Sequence, residues 1–138
     1  MSTASSGLPT GTPPVNLETQ AFWDATAEHR FLLRRCTACG FAIWYPRALC
    51  PDCGSVDTEW VEASGRGTIY TFSTTRRGQG RWRDVTPYVL AYVELEEGPR
   101  VLTNIVGADP DTLRIGQAVE VTWDDTGEGP ALYRFRPS

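Results

Sequence analysis

Lysine is missing: all 13 basic residues of this 138-residue chain are arginine. That absence excludes Schiff-base chemistry. It also removes the lysine of a G-x-x-x-x-G-K phosphate loop, whose glycine framework is missing too. Histidine occurs once, as His29. Near the end of a predicted helix, where positive charge is favoured, it reads as a surface residue rather than a catalyst. No G-x-S-x-G nucleophile elbow is present. Carboxylates are plentiful, but Glu94, Glu96 and Glu97 read as a solvated strand end and turn, and no pair stands out. The chain reads as a non-enzyme on its own. No apolar run approaches the roughly 18 residues of a membrane span. The net charge of −4 argues against broad, sequence-independent nucleic-acid binding. The first residues lack the basic and apolar regions of a signal peptide, so a reducing, cytoplasmic setting is expected.

The four cysteines carry the strongest signal. Cys36-Thr37-Ala38-Cys39 and Cys50-Pro51-Asp52-Cys53 form two C-x-x-C pairs, with ten residues between Cys39 and Cys50. In a reducing compartment such pairs bind metal more readily than they form disulfides. Four thiolates suit a tetrahedral zinc ion, leaving no open position for catalysis, so the zinc is structural. Iron in a rubredoxin-like site is the alternative. A glycine follows each second cysteine, where a turn with positive φ suits it.

The rest divides into four stretches. Residues 1–15 are rich in Ser, Thr, Gly and Pro and read as a disordered tail. Residues 16–30 predict a helix, with Asn16 as cap and Leu17, Ala21, Phe22 and Ala25 as its apolar stripe. Residues 31–59 hold the cysteine ribbon. Residues 60–138 predict five short strands separated by Gly-rich turns and one helical turn capped by Asp109. Val119, Val121 and Trp123 alternate with polar residues, as in a half-buried strand. The fold class is mainly β: a helix, a rubredoxin-like ribbon, then a five-stranded OB-type barrel, with an SH3-like barrel as rival.

The connection Arg76-Arg77-Gly78-Gln79-Gly80-Arg81-Trp82-Arg83 is unusually cationic. It admits three readings. It is a solvated loop or one ordered by a protein partner; it grips a phosphate-bearing ligand through Arg76, Arg77, Arg81 and Arg83; or it stacks single-stranded nucleic acid on Trp82. Phe22, Trp23 and Trp44 are candidate contacts for a protein partner.

Several stretches together carry a family resemblance. They are Phe22-Trp23, Phe31 to Gly40, Tyr45-Pro46-Arg47-Ala48-Leu49-Cys50-Pro51-Asp52-Cys53-Gly54, Ser64-Gly65-Arg66-Gly67-Thr68-Ile69-Tyr70, Pro87-Tyr88, Val93 to Gly98 and Leu113-Arg114-Ile115-Gly116. The sequence resembles the zinc-ribbon-plus-OB-fold proteins known as domain of unknown function thirty-five, over about residues 17–137. The resemblance implies an accessory subunit of a thiolase-like enzyme that makes or breaks a carbon–carbon bond beside an acyl-CoA thioester. Its relatives accompany acetoacetyl-CoA thiolases, polyketide-type acyltransferases and steroid side-chain retro-aldolases. It implies that the partner holds the catalytic residues, while this chain bridges, stabilises or helps to bind CoA. The helix and ribbon would dock on the partner. CoA phosphates could meet the Arg76 to Arg83 connection. The competing readings are a single-stranded nucleic-acid-binding OB protein and a free-standing acyl-CoA carrier.

Overall fold

The computed structural model describes residues 6–138. A seven-residue helix, α1 (Gln20–Thr26), precedes eight strands: β1 (Leu32–Cys36), β2 (Ala42–Ile43), β3 (Thr58–Glu62), β4 (Arg66–Thr75), β5 (Tyr88–Leu95), β6 (Arg100–Ile105), β7 (Ala118–Asp125) and β8 (Ala131–Pro137). The first three form an antiparallel sheet in the order β2-β1-β3. The last five close into a barrel in the order β4-β5-β6-β8-β7, with β7 returning to pair with β4. All its ladders are antiparallel except β6–β8, which are parallel and meet at Ile105↔Phe135. This is an OB-type barrel.

Binary pattern explains the closure. In β5, Val89, Ala91, Val93 and Leu95 are buried, and β6 adds Val101 and Ile105. Alternate residues line the inside of a barrel. β4 bends at a register shift between Ile69 and Thr71, as a bulge does where a strand must curl. Gly67 allows β4 and β5 to approach closely: a Cβ there would overlap the Glu94 carbonyl and lie 2.9 Å from Val93 Cγ1. Gly67→Ala is therefore expected to cost about 1–3 kcal/mol through overpacking. A denaturant midpoint equal to wild type would contradict this.

The ribbon sheet and the barrel share one core. Phe22, Trp23, Phe31 and Leu33 join Ile69, Val93, Trp123 and Phe135 in a single cluster. β3 crosses the expected ribbon–barrel boundary at residues 59/60, because all five of its residues pair with β1.

The helix is shorter than the expected 16–30, and its buried face differs. Asn16 does cap, but it caps a separate turn: its Oδ1 accepts from Thr19 N (3.0 Å), and Thr19 Oγ1 accepts from Asn16 N (3.1 Å). That reciprocal pair is a capping box in form. The extra turn shifts the helical phase of the residues after it. Leu17 is 94% exposed and Ala21 is exposed too, while Phe22, Trp23, Ala25 and Thr26 are buried. At the other end, Arg30 N donates to Ala25 O (3.0 Å) and His29 N to Thr26 O (2.9 Å). This is a Schellman ending with His29 at the left-handed position, φ 58°. The His29 ring lies parallel to Trp123 at 5.7 Å, and its Nε2 is 2.9 Å from Asp125 Oδ1.

Of the tail expected to be disordered over residues 1–15, residues 6–15 are placed along the barrel, and residues 1–5 lie outside the described residues. Asp124 Oδ1 accepts from Ser6 N (3.0 Å), and Pro9 O accepts from Arg134 Nη2 (3.0 Å). Thr10 O accepts from Arg81 Nη1 (2.9 Å). An extended Pro- and Gly-rich segment has no internal partners for its carbonyls, and arginines of the barrel supply them. Removing residues 1–10 loses the bonds to Asp124, Arg134 and Arg81 and opens the Arg134–Asp124 pair to water, and is expected to cost about 1–3 kcal/mol. Thermal melting of the truncated chain checks this, and an unchanged midpoint would contradict it.

Candidate metal centre and the arginine-rich connection

The two C-x-x-C segments fold into matching knuckles. In the first, Cys36 N donates to Phe41 O and Gly40 N donates to Cys36 O, both at 2.9 Å. In the second, Cys50 N donates to Ser55 O and Gly54 N donates to Cys50 O, again at 2.9 Å. Gly40 and Gly54 both have φ of 80°, a turn that L side chains resist. β1 delivers Cys36, and the Thr37 N–H donates to Asp57 O (2.8 Å), tying the first knuckle to the chain entering β3.

The four Sγ atoms lie within 4.8 Å of one another, with Cys36–Cys53 at 3.6 Å and Cys39–Cys50 at 3.8 Å. Sulfurs bound at about 2.3 Å to a tetrahedral ion sit about 3.8 Å apart. The donor set therefore fits a four-thiolate metal site. The Cys39 backbone N–H is the main cause that pulls the Cys36 thiol down to about 7, while at Cys39 the Phe41 backbone N–H is outweighed by burial and the crowding of the other three sulfurs, which push that thiol up to about 12; a bound cation offsets that mutual repulsion. Cys36 and Cys50 are buried, whereas Cys39 and Cys53 reach the surface. Four protein ligands close the site, so its chemistry is that of a staple.

The other expected contact residues fall in different places. Phe22 and Trp23 are 0% and 6% exposed and pack inside this chain. The Phe22 ring meets Trp23 at 4.9 Å, Trp44 at 5.3 Å and Phe31 at 5.5 Å. Trp23 Nε1 donates to Tyr45 Oη at 2.7 Å. Trp44 is half-buried and stacks on Phe31. These aromatics bind the ribbon to the barrel.

The arginine-rich connection is structured rather than a loose loop. Gly80–Val85 makes a 3-10 turn, and Trp82 leans on Tyr88 at 4.8 Å. Arg76 pairs with Asp111 (3.4 Å), and Arg81 holds Thr10 O. Arg77 and Arg83 are exposed and have no carboxylate partner among the described residues. Sequence reading missed one feature, the outward side chains Leu90, Tyr92 and Leu102, each more than 40% exposed. The signal was present in Tyr88–Leu95, where both alternating sets are apolar until Glu94.

Comparison with known proteins bears on the same residues. Residues 23–59 match the family described as ChsH2, rubredoxin-like zinc ribbon domain, and residues 60–124 match ChsH2, C-terminal OB-fold domain. This chain belongs to the ChsH2-type zinc-ribbon and OB-fold family. A solved chain of an Ltp2-ChsH2(DUF35) aldolase is 36% identical, with a TM-score of 0.81, covering 91% of this chain and 98% of that one. The "DUF35 domain-containing scaffold protein" of Methanothermobacter thermautotrophicus is 36% identical over 74% of this chain and 80% of its own. A "Benzoylsuccinyl-CoA thiolase subunit BbsA" of Geobacter metallireducens is 39% identical over 64% of this chain and 58% of its own. The "Probable enoyl-CoA hydratase alpha subunit" of Thermomonospora curvata is 36% identical over 91% of this chain. This chain spans only 39% of that longer relative. Among the described residues no helix is long and apolar enough to cross a membrane.

Proposed function

We propose that this chain is a non-catalytic accessory subunit of a thiolase-like enzyme that makes or breaks a carbon–carbon bond beside an acyl-CoA thioester. The observation that carries the reading is the likeness to the ChsH2(DUF35) chain of an aldolase, which extends over 98% of that chain. The BbsA relative, named as a thiolase subunit, points to the same class of partner. The favoured reaction is retro-aldol cleavage of a steroid or fatty acyl side chain. The ion is zinc, held by Cys36, Cys39, Cys50 and Cys53 as a structural staple. Such a thiolate site persists in a reducing, cytoplasmic setting. The thiolase-like subunit carries the reacting groups. This chain stabilises it and aids its hold on the CoA thioester.

The test is an assay of the thiolase-like subunit with and without this chain, on acyl-CoA substrates. Carbon–carbon cleavage or formation should require both proteins, and this chain alone should be inactive. Full activity of the thiolase-like subunit without this chain would contradict the proposal.

A further inference from the structure

We propose that the outward face of β5 and β6, centred on Leu90, Tyr92 and Leu102, is the surface on which the thiolase-like subunit docks, with an uncharged apolar centre and an arginine rim that meets carboxylates of that subunit. This rests on the accessory-subunit reading and adds where the contact lies.

Alternation along the strands divides the side chains. Val89, Ala91, Val93, Val101 and Ile105 fill the barrel, while Leu90 (42%), Tyr92 (44%) and Leu102 (46%) face out. The register aligns them in two cross-strand rows: Thr71–Tyr92–Leu102 and Ser73–Leu90–Asn104. Neither row holds a charge. The Arg100–Glu94 ion pair (3.1 Å) bounds the face at one end. Two shallow grooves meet at Leu90 and Leu102. One is floored by Phe72 and Tyr92, the other by Trp23, Leu132 and Tyr133.

The strands that follow β6 round the barrel show the contrast. On β7 and β8 the outward positions carry ion pairs, Arg136–Glu120 (3.0 Å) and Arg134–Asp124 (3.0 Å); the latter borders the second groove and lies beneath the N-terminal segment. One side is thus charged or covered, while the other leaves large apolar side chains bare. A contiguous apolar patch with a polar rim marks an interaction surface. Charge indicates the occupant. The connection between β4 and β5 leaves the end of these strands opposite the Arg100–Glu94 pair, and its Arg77 and Arg83 have no carboxylate partner among the described residues. Arg100 lies 3.8 Å over the Tyr70 ring at the other end. Aromatic and arginine anchors around an apolar centre fit a protein surface with acidic groups at its edge.

The experiment measures affinity for the thiolase-like subunit that co-purifies with the chain. The proteins compared are wild type, the double variant Leu90→Glu/Leu102→Glu, the double variant Arg77→Glu/Arg83→Glu, and Leu17→Glu on the turn before α1. All substituted positions are exposed, so melting and metal content should match wild type and show that each variant folds. The apolar double variant should weaken binding on the order of 100-fold, as loss of a central anchor does. The arginine variant should lose about 10-fold, mainly in association rate and less at high salt. Leu17→Glu should bind as wild type. Binding by the apolar double variant as tight as wild type would overturn this inference and leave the proposed function standing. So would a wild-type self-dimer that the same substitutions dissolve, or an acyl-CoA thioester whose binding they alone abolish. If wild type binds no thiolase-like subunit, both readings fall together.

Discussion

Cys39→Ser is expected to abolish stoichiometric metal binding and to unfold the ribbon. A serine hydroxyl is a poor ligand at neutral pH, so the site drops to three thiolates. Structural zinc in such peptides contributes on the order of 10–16 kcal/mol of coupled folding free energy. The ribbon has little else to hold its tip: its own buried cluster is Cys36, Ile43 and Cys50, two of which are ligands. The loss spreads, because β1 also places Leu33 in the main core and follows directly from Phe31. Tryptophan fluorescence should therefore change together with metal content, since Trp44 and Trp60 pack against that core. Elemental analysis and a melting curve check the outcome. Full metal content with an unchanged melt would remove the site assignment.

Arg134→Met is expected to destabilise the barrel by about 3–5 kcal/mol, because it leaves an uncompensated charge in place of a buried pair. Arg134 and Asp124 are 7% and 5% exposed. The Arg134 guanidinium donates to Asp124 Oδ2 (3.0 Å), to Asn104 Oδ1 (2.9 Å) and to Pro9 O (3.0 Å). Ser6 Oγ donates to the same carboxylate. One side chain thus ties β8 to β7, to β6 and to the N-terminal segment. Between β6 and β8 this tie matters, because their ladder has a single parallel bridge. Asp124→Leu combined with Arg134→Met should recover much of the loss, since an apolar pair can replace a buried ion pair at little cost. Denaturant unfolding of the two single variants and the double measures the coupling. Strictly additive losses would contradict the account.

These two sites differ in how far the sequence announces them. The four cysteines were legible because each pair is a local motif, and the turn after it is written in the same few residues. The barrel strands were legible where one face alternates, as Val119, Val121 and Trp123 do in β7. The Arg134 network was not legible, since its partners are separated by up to 125 positions and each looks like an ordinary surface residue. The tail followed the same logic. Its composition says only that it cannot build a core, while its contacts are with donors distant in sequence, Arg81 and Arg134. The helix stripe misled because the capped turn at Asn16 is distinct from α1, which moved Leu17 out of phase and left it in solvent. Phe22 and Trp23 were read as contact residues, and they are, but their partners are Phe31, Trp44 and Tyr133 of the same chain. The face at Leu90 and Leu102 was hidden by a general ambiguity: a strand apolar on both sides reads as buried until the neighbouring layer proves absent.

The most direct test of the central claim is native mass spectrometry of the tagged chain isolated from its host at physiological salt. The account predicts a hetero-oligomer containing a thiolase-like subunit in about equal amount, with one zinc ion for each copy of this chain. A chain recovered alone, or carrying nucleic acid in place of that subunit, would contradict it.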